Sequence, residues 1–192
     1  MKNILLTVMS IMLIMSCNTE SKKIENTHSI KRDTAVFFPV TNYIKGEINE
    51  IIKKGINPIK LLSKGNKVDS VWLKVSEFDT AFHEFIQPMI DSIHLVKFFN
   101  ESKFADQTLD TYTFTYAPKG NLPDSISLKR WDVYIDRVTN NVKRIYIVKQ
   151  NQDKELQLTW QSGKWCKTVC IANDKNGKQF IEYEETIKWS FD

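Results

Sequence analysis

The stretch TYTFTYAP, residues 111–118, alternates without a break. Tyr112, Phe114 and Tyr116 fall on one side and Thr111, Thr113 and Thr115 on the other. Only an extended backbone, whose successive side chains point to opposite faces, sorts such a run into an apolar and a hydroxylated face. The same period continues to the end of the chain. SLKRWDVYID groups Trp131 with Val133 and Ile135, and KELQLTW groups Leu156 with Leu158 and Trp160; NNVKRIYIVKQ, WCKTVCIA and QFIEYEETIKWSF follow suit. Turn residues around Thr139-Asn140, in QSGK and in NDKNGK separate these runs, at the roughly 10–14-residue spacing of an antiparallel meander.

The residues before this block read differently. In FFPVTNYIKGEINEIIKKG, Tyr43, Ile44, Ile48, Ile51 and Ile52 share one face at helical spacing. Pro39 near the start and Gly55 at the end are the expected punctuation of a helix. INPIKLLSKGNKVDSVWLKV has two extended runs around SKGNK, which predicts a hairpin with Val71, Leu73 and Val75 alternating on its second strand. SEFDTAFHEFIQPMIDSIHLVKFF predicts a second helical region. Ser76 and Asp79 have capping-box spacing, and Phe78, Phe82, Phe85, Ile86, Met89, Ile90 and Ile93 form an apolar stripe. Pro88 lacks an N–H and must kink or split that helix. The fold class is therefore α+β: two N-terminal helical regions and a short hairpin packed on a curved antiparallel meander of about six strands. Each strand supplies an aromatic, so one sheet face is expected to be rich in Trp and Tyr. Trp131, Trp160, Trp165 and Trp189 are the candidate ligand-face aromatics.

The first 16 residues stand apart. Lys2 is followed by an apolar run from Ile4 to Met15. At about a dozen residues it is shorter than the roughly 20 needed to span a bilayer. It has the form of a signal peptide, which is excluded from the fold. Its end, Ile14-Met15-Ser16-Cys17, resembles the lipobox of bacterial lipoproteins, with Ile14 where Leu is common. The resemblance covers residues 1–17. It implies that the Cys17 thiol receives a diacylglycerol, that the signal is cut just before it, and that the chain is held on a membrane by its acyl chains. Asn18 follows the cysteine. The absence of Asp there favours, in the enterobacterial sorting pattern, the outer membrane over the inner membrane. No run of acidic residues follows Cys17 to mark export to the cell surface, so the expected address is the outer membrane facing the periplasm. The strands and tail also resemble small envelope lipoproteins known only as uncharacterised, which adds a location and no activity.

Residues 18–35 are polar and mixed in charge, a composition that cannot bury enough surface to fold. With Cys17 they read as a lipidated tether whose ~18 flexible residues reach roughly 25 Å on average. Residues 36–192 then form a single domain. The formal charge of +4, or +3 once Lys2 leaves with the signal, is too small and too evenly spread for nucleic acid.

Candidate chemistry is sparse. Cys166 and Cys170 lie four apart in CKTVC. On one strand their Cα atoms would be about 13 Å apart, beyond the roughly 7 Å a disulfide tolerates. A reduced packed pair, a disulfide across a turn at Lys167-Thr168, and metal or redox work stay open. Of three histidines, His28 lies in the tether, and His83 and His94 are about 16 Å apart along a helix, too far to share a metal. ANDKNG has Ala172 where a calcium loop needs Asp, and reads as a hairpin turn. No metal or cofactor is expected. Asp132 and Asp136 share a strand face with Arg130 and Tyr134, the pattern of an exposed face with charges paired across strands. Glu185 shares its parity with Ile181, Tyr183, Ile187 and Trp189, which directs it to the apolar face unless a bulge at Glu184-Glu185 turns it out. It is the candidate buried carboxylate. The nucleophile-elbow, zinc-protease, P-loop and dinucleotide fingerprints are missing. The expectation is a non-enzymatic, membrane-tethered protein that binds a partner protein or an apolar or lipidic ligand on its aromatic-rich sheet. The alternative is an envelope hydrolase working by Asp or Glu acid–base chemistry.

Overall fold

Alternation becomes a sheet in the computed structural model, which describes residues 37–151 and 153–191. The expected signal peptide and tether, with Cys17, lie outside the described residues. Seven strands follow one another: β3 (Phe99–Asp106), β4 (Thr111–Pro118), β5 (Leu128–Asp136), β6 (Val142–Asn151), β7 (Lys154–Gln161), β8 (Trp165–Asn173) and β9 (Gln179–Lys188). The hairpin β1 (Ile59–Lys64) and β2 (Lys67–Trp72) pairs through β1 with β9. The result is one nine-stranded antiparallel sheet of order β2-β1-β9-β8-β7-β6-β5-β4-β3. The fold is α+β with more sheet than the sequence suggests. The hairpin is not packed on the meander but continues it, and β3 is an added seventh meander strand. A two-residue turn at Gly65-Asn66 closes the hairpin, with Gly65 at φ +56°, where a side chain would be strained.

One face of the sheet is covered. The helix α1 (Val40–Lys53) starts at Pro39 and buries Val40, Thr41, Ile44 and Ile51. The second helical region is not one kinked helix. After a 3-10 turn at Val75–Glu77 it breaks into single turns: α2 (Phe78–Ala81), α3 (His83–Ile86) and α4 (Ser92–Leu95). Pro88, preceded by a cis peptide bond, sits between the last two. The entry is capped by Glu77, whose carboxylate accepts the Lys74 N–H at 2.7 Å, not by the Ser76–Asp79 pair. Phe78, Phe82, Phe85 and Ile90 of the apolar stripe are buried, while Met89 is half-exposed and Ile93 is 83% exposed, because the chain past Pro88 no longer keeps helical spacing. Val75 belongs to the 3-10 turn and not to a strand.

The covered face carries Tyr116, Trp131, Val133, Ile145, Ile147, Leu158, Trp160, Cys166 and Ile187, which form one core with α1 and the phenylalanines of α2 and α3. Fully burying a large apolar side chain contributes roughly 1.5–3 kcal/mol, so this inner face supplies most of the drive to fold. One cation also sits there. Lys149 follows the parity of Ile145 and Ile147 and is 2% exposed. Its ammonium meets the backbone carbonyls of Glu84 and Gln87 and, at 3.0 Å, the Glu84 carboxylate. It thus ties the end of α3 and the turn before Pro88 to β6 and satisfies carbonyls that a one-turn helix leaves open.

Candidate functional site

The four candidate tryptophans separate. Trp131 is fully buried, stacked on Tyr116 with ring centroids 4.6 Å apart, and touched by Phe37 and Phe99. Trp160 and Trp189 are buried together at 4.9 Å, edge-on to Phe82. The Trp160 indole N–H donates to Glu47 of α1 at 3.1 Å. These three belong to the packed core. The aromatic-rich face is the one the protein's own helices occupy, so it is not an open ligand face. Trp165 is the exception. It is half-buried on the opposite, outer face of β8, in register with Lys188 of β9.

Glu185 has a different setting. The bulge in β9 falls at Glu182, between the Cys170–Tyr183 and Ile171–Ile181 pairs, two residues before the anticipated Glu184-Glu185 position. It turns Ile181 outward, where it is 56% exposed, and leaves Tyr183, Glu185 and Ile187 on the inner face. Glu185 stands opposite Leu62 of β1 and Thr168 of β8. It is partly buried, with Lys60 Nζ at 3.4 Å. Here the helical cover ends. An open cavity of about 310 Å³ lies between β1, β9, β8 and the α2–α3 turns, bounded by Leu62, Lys64, Ala81, Glu84, Thr168, Tyr183 and Glu185. A second, of about 420 Å³, adjoins it through Thr80, Ala81 and Glu185 and reaches Lys60 and Val71. Together they form a cleft with an apolar lining at Leu62, Ala81 and the Tyr183 ring, and a polar rim of two lysines, three carboxylates (Glu77, Glu84 and Glu185) and the hydroxyls of Ser76, Thr80 and Thr168.

The electrostatics keep this cleft chemically quiet. Burial pushes the Tyr183 hydroxyl up to about 12, aided by the negative potential of Cys170, Glu185, Glu84 and Glu182, so it stays a neutral donor. All three carboxylates are engaged, Glu185 by Lys60, Glu84 by Lys149 and Glu77 by the Lys74 backbone N–H. The thiols of Cys166 and Cys170 are free and buried on the same face of β8. Burial raises both above the ordinary thiol range, the opposite of what a nucleophile needs.

The remaining sequence candidates are structural. Asp132 is 1% exposed on the outer face, not solvated, and its main partner is not across the strands. Arg130, two residues away on β5, donates at 3.0 Å, and Thr115 of β4 donates at 2.5 Å. Asp136 accepts the backbone N–H groups of Val138 and Thr139 and shapes the β5–β6 turn. Asp174 does the same for Asn176 and Lys178 in the β8–β9 hairpin turn. His83 and His94 are exposed beside Glu84 and Asp91. Among the described residues no three His, Cys, Asp or Glu side chains converge to hold a metal.

Glu84, Lys60, Lys64 and Tyr183 were not singled out by sequence. Tyr183 was within reach, since it shares the parity of Glu185; the others depend on where the broken helix ends. No family model, curated protein or solved structure matches the chain.

Proposed function

We propose that this is a lipid-anchored protein of the bacterial cell envelope, held through Cys17 on the outer membrane and facing the periplasm. Its domain binds a ligand and does not catalyse a reaction. The ligand has an apolar body and a polar end, and it occupies the cleft around Glu185. The anchor rests on the lipobox resemblance of residues 14–17. The observation that carries the binding role is the mixed lining of the cleft. Leu62, Ala81 and the Tyr183 ring suit an apolar body, while Lys64, Lys60 and the threonine hydroxyls suit its polar end. Carboxylates held by ion pairs or a backbone N–H and a tyrosine held neutral favour binding over proton transfer.

Native mass spectrometry of the detergent-extracted full chain tests this reading. The wild type is expected to retain a non-covalent ligand. Ala81→Trp, which fills the cleft, is expected to lose it while keeping the circular dichroism spectrum of the wild type. A bare wild-type monomer that turns over envelope glycans would contradict the proposal.

A further inference from the structure

A second groove lies on the other side of the sheet. It encloses about 490 Å³ beside Trp165 and is lined by Lys164, Trp165, Lys167, Thr186, Lys188 and Ser190. The sheet register builds it. Trp165 pairs with Lys188, and Lys167 pairs with Thr186, so four outer-face side chains form a block across β8 and β9. The β7–β8 turn closes one end. Gly163, at φ +71°, lets the chain reverse, and the Lys164 carbonyl accepts the N–H groups of Trp189 at 3.0 Å and Ser190 at 3.2 Å. That clasp holds Lys164 and Ser190 at the same end of the groove.

The chemistry of the lining is one-sided. Every polar side chain in it can donate: three ammoniums, two hydroxyls and the indole N–H. Lys167 is shared with Glu184 at 2.9 Å. Lys164 and Lys188 make no ion pair among the described residues. Elsewhere the grooves mix signs. The one beside Trp189 includes Glu47 and Glu50, the one between α1 and the α2 turn includes Asp79, and the inner cleft holds Glu84 and Glu185. A lining with three ammoniums, no carboxylate and a donor on every polar side chain fits an anionic, acceptor-rich group, and lysines serve phosphate as clustered point charges. The half-buried indole adds a flat apolar surface beside that charge.

We infer that this groove binds phosphate esters. The phosphate lies among Lys164, Lys167 and Lys188, and the carbon skeleton of the ester lies against Trp165. The shared chemistry admits two sources, a glycerophosphate headgroup and a soluble sugar phosphate. The site faces away from the Glu185 cleft, and neither reading depends on the other.

Calorimetric titration of the full chain in non-ionic detergent tests it, with inorganic phosphate, glycerol 3-phosphate and glucose 6-phosphate as probes at constant ionic strength. At least one ester is expected to bind saturably and more tightly than inorganic phosphate. The double variant Lys164→Ala/Lys188→Ala is expected to weaken ester binding by about tenfold or more, as befits loss of two charge-assisted contacts. Trp165→Ala is expected to bring the ester down to the affinity of inorganic phosphate and to leave the latter unchanged. The tighter of the two esters identifies the source. Absence of saturable ester binding, or an ester affinity that survives both variants, would overturn the inference.

Discussion

The Glu185 carboxylate stands 3.4 Å from the Lys60 ammonium, on the diagonal between β9 and β1, and both border the inner cleft. Each side chain keeps some contact with water, so the pair adds little to stability. Glu185→Gln is expected to change the unfolding free energy by less than about 1 kcal/mol. Its effect appears on Tyr183, whose hydroxyl is raised to about 12 by burial first and by neighbouring negative charge second. Removing the Glu185 charge is expected to lower the Tyr183 titration midpoint without returning it to the ordinary tyrosine value. Absorbance titration against Tyr183→Phe measures this; an unmoved midpoint would place Glu185 away from the ring.

Lys149 is the buried cation that fastens the broken helical segment to β6. Lys149→Met keeps the volume and removes the donors to the Glu84 and Gln87 carbonyls. Glu84 is exposed enough to be rehydrated, so the cost falls on the carbonyls and amounts to about 2–3 kcal/mol. Urea unfolding of the two proteins tests the value, and equal midpoints would show that the clamp contributes nothing.

Two tryptophans on opposite faces of the sheet should respond to truncation unequally. Trp131→Ala empties a fully buried site and is expected to cost about 3–5 kcal/mol. Trp165→Ala, on the outer face and only partly buried, is expected to cost about 1–2 kcal/mol. Thermal denaturation distinguishes them, and comparable losses would contradict the assignment of inner and outer faces.

The difference between these faces was largely legible in the sequence. Parity alone put Trp131 with Val133, Leu158 with Trp160, and Glu185 with Ile187, and the sheet keeps those groupings. Parity did not reveal that the aromatic face would be filled from within, because that depends on where Phe82 and Phe85 land after the helix breaks. β3 carries no strand signal in the sequence, for a physical reason. It is an edge strand whose inner-parity positions include Glu101 and Lys103, so no alternation marks it. The bulge at Glu182 was also illegible. Its carboxylate bonds to Lys154 at 2.7 Å and accepts from the Cys170 thiol at 3.4 Å, contacts that exist only once β7, β8 and β9 are aligned.

Acid should loosen the fold through such carboxylates. Backbone N–H groups of Thr139 and Val138 hold Asp136 below the ordinary carboxylate range, and a hydrogen bond from Lys154 does so for Glu182. A folded-state pKa below the unfolded one contributes stability that is complete above the unfolded value, near 4, and lost as pH falls through the folded value. The urea midpoint is therefore expected to drop as pH is lowered from about 4 toward 2, and Asp136→Asn is expected to flatten that slope. An unchanged slope in the variant would remove Asp136 from the account.

The most direct test of the account concerns where the domain works. Cells expressing the full chain are labelled with radioactive palmitate, alongside cells expressing Cys17→Ser. Label is expected on the wild-type protein, recovered in the membrane fraction, and none on Cys17→Ser. Label retained by Cys17→Ser, or absent from the wild type, would contradict a lipid anchor at Cys17 and with it the envelope-tethered role.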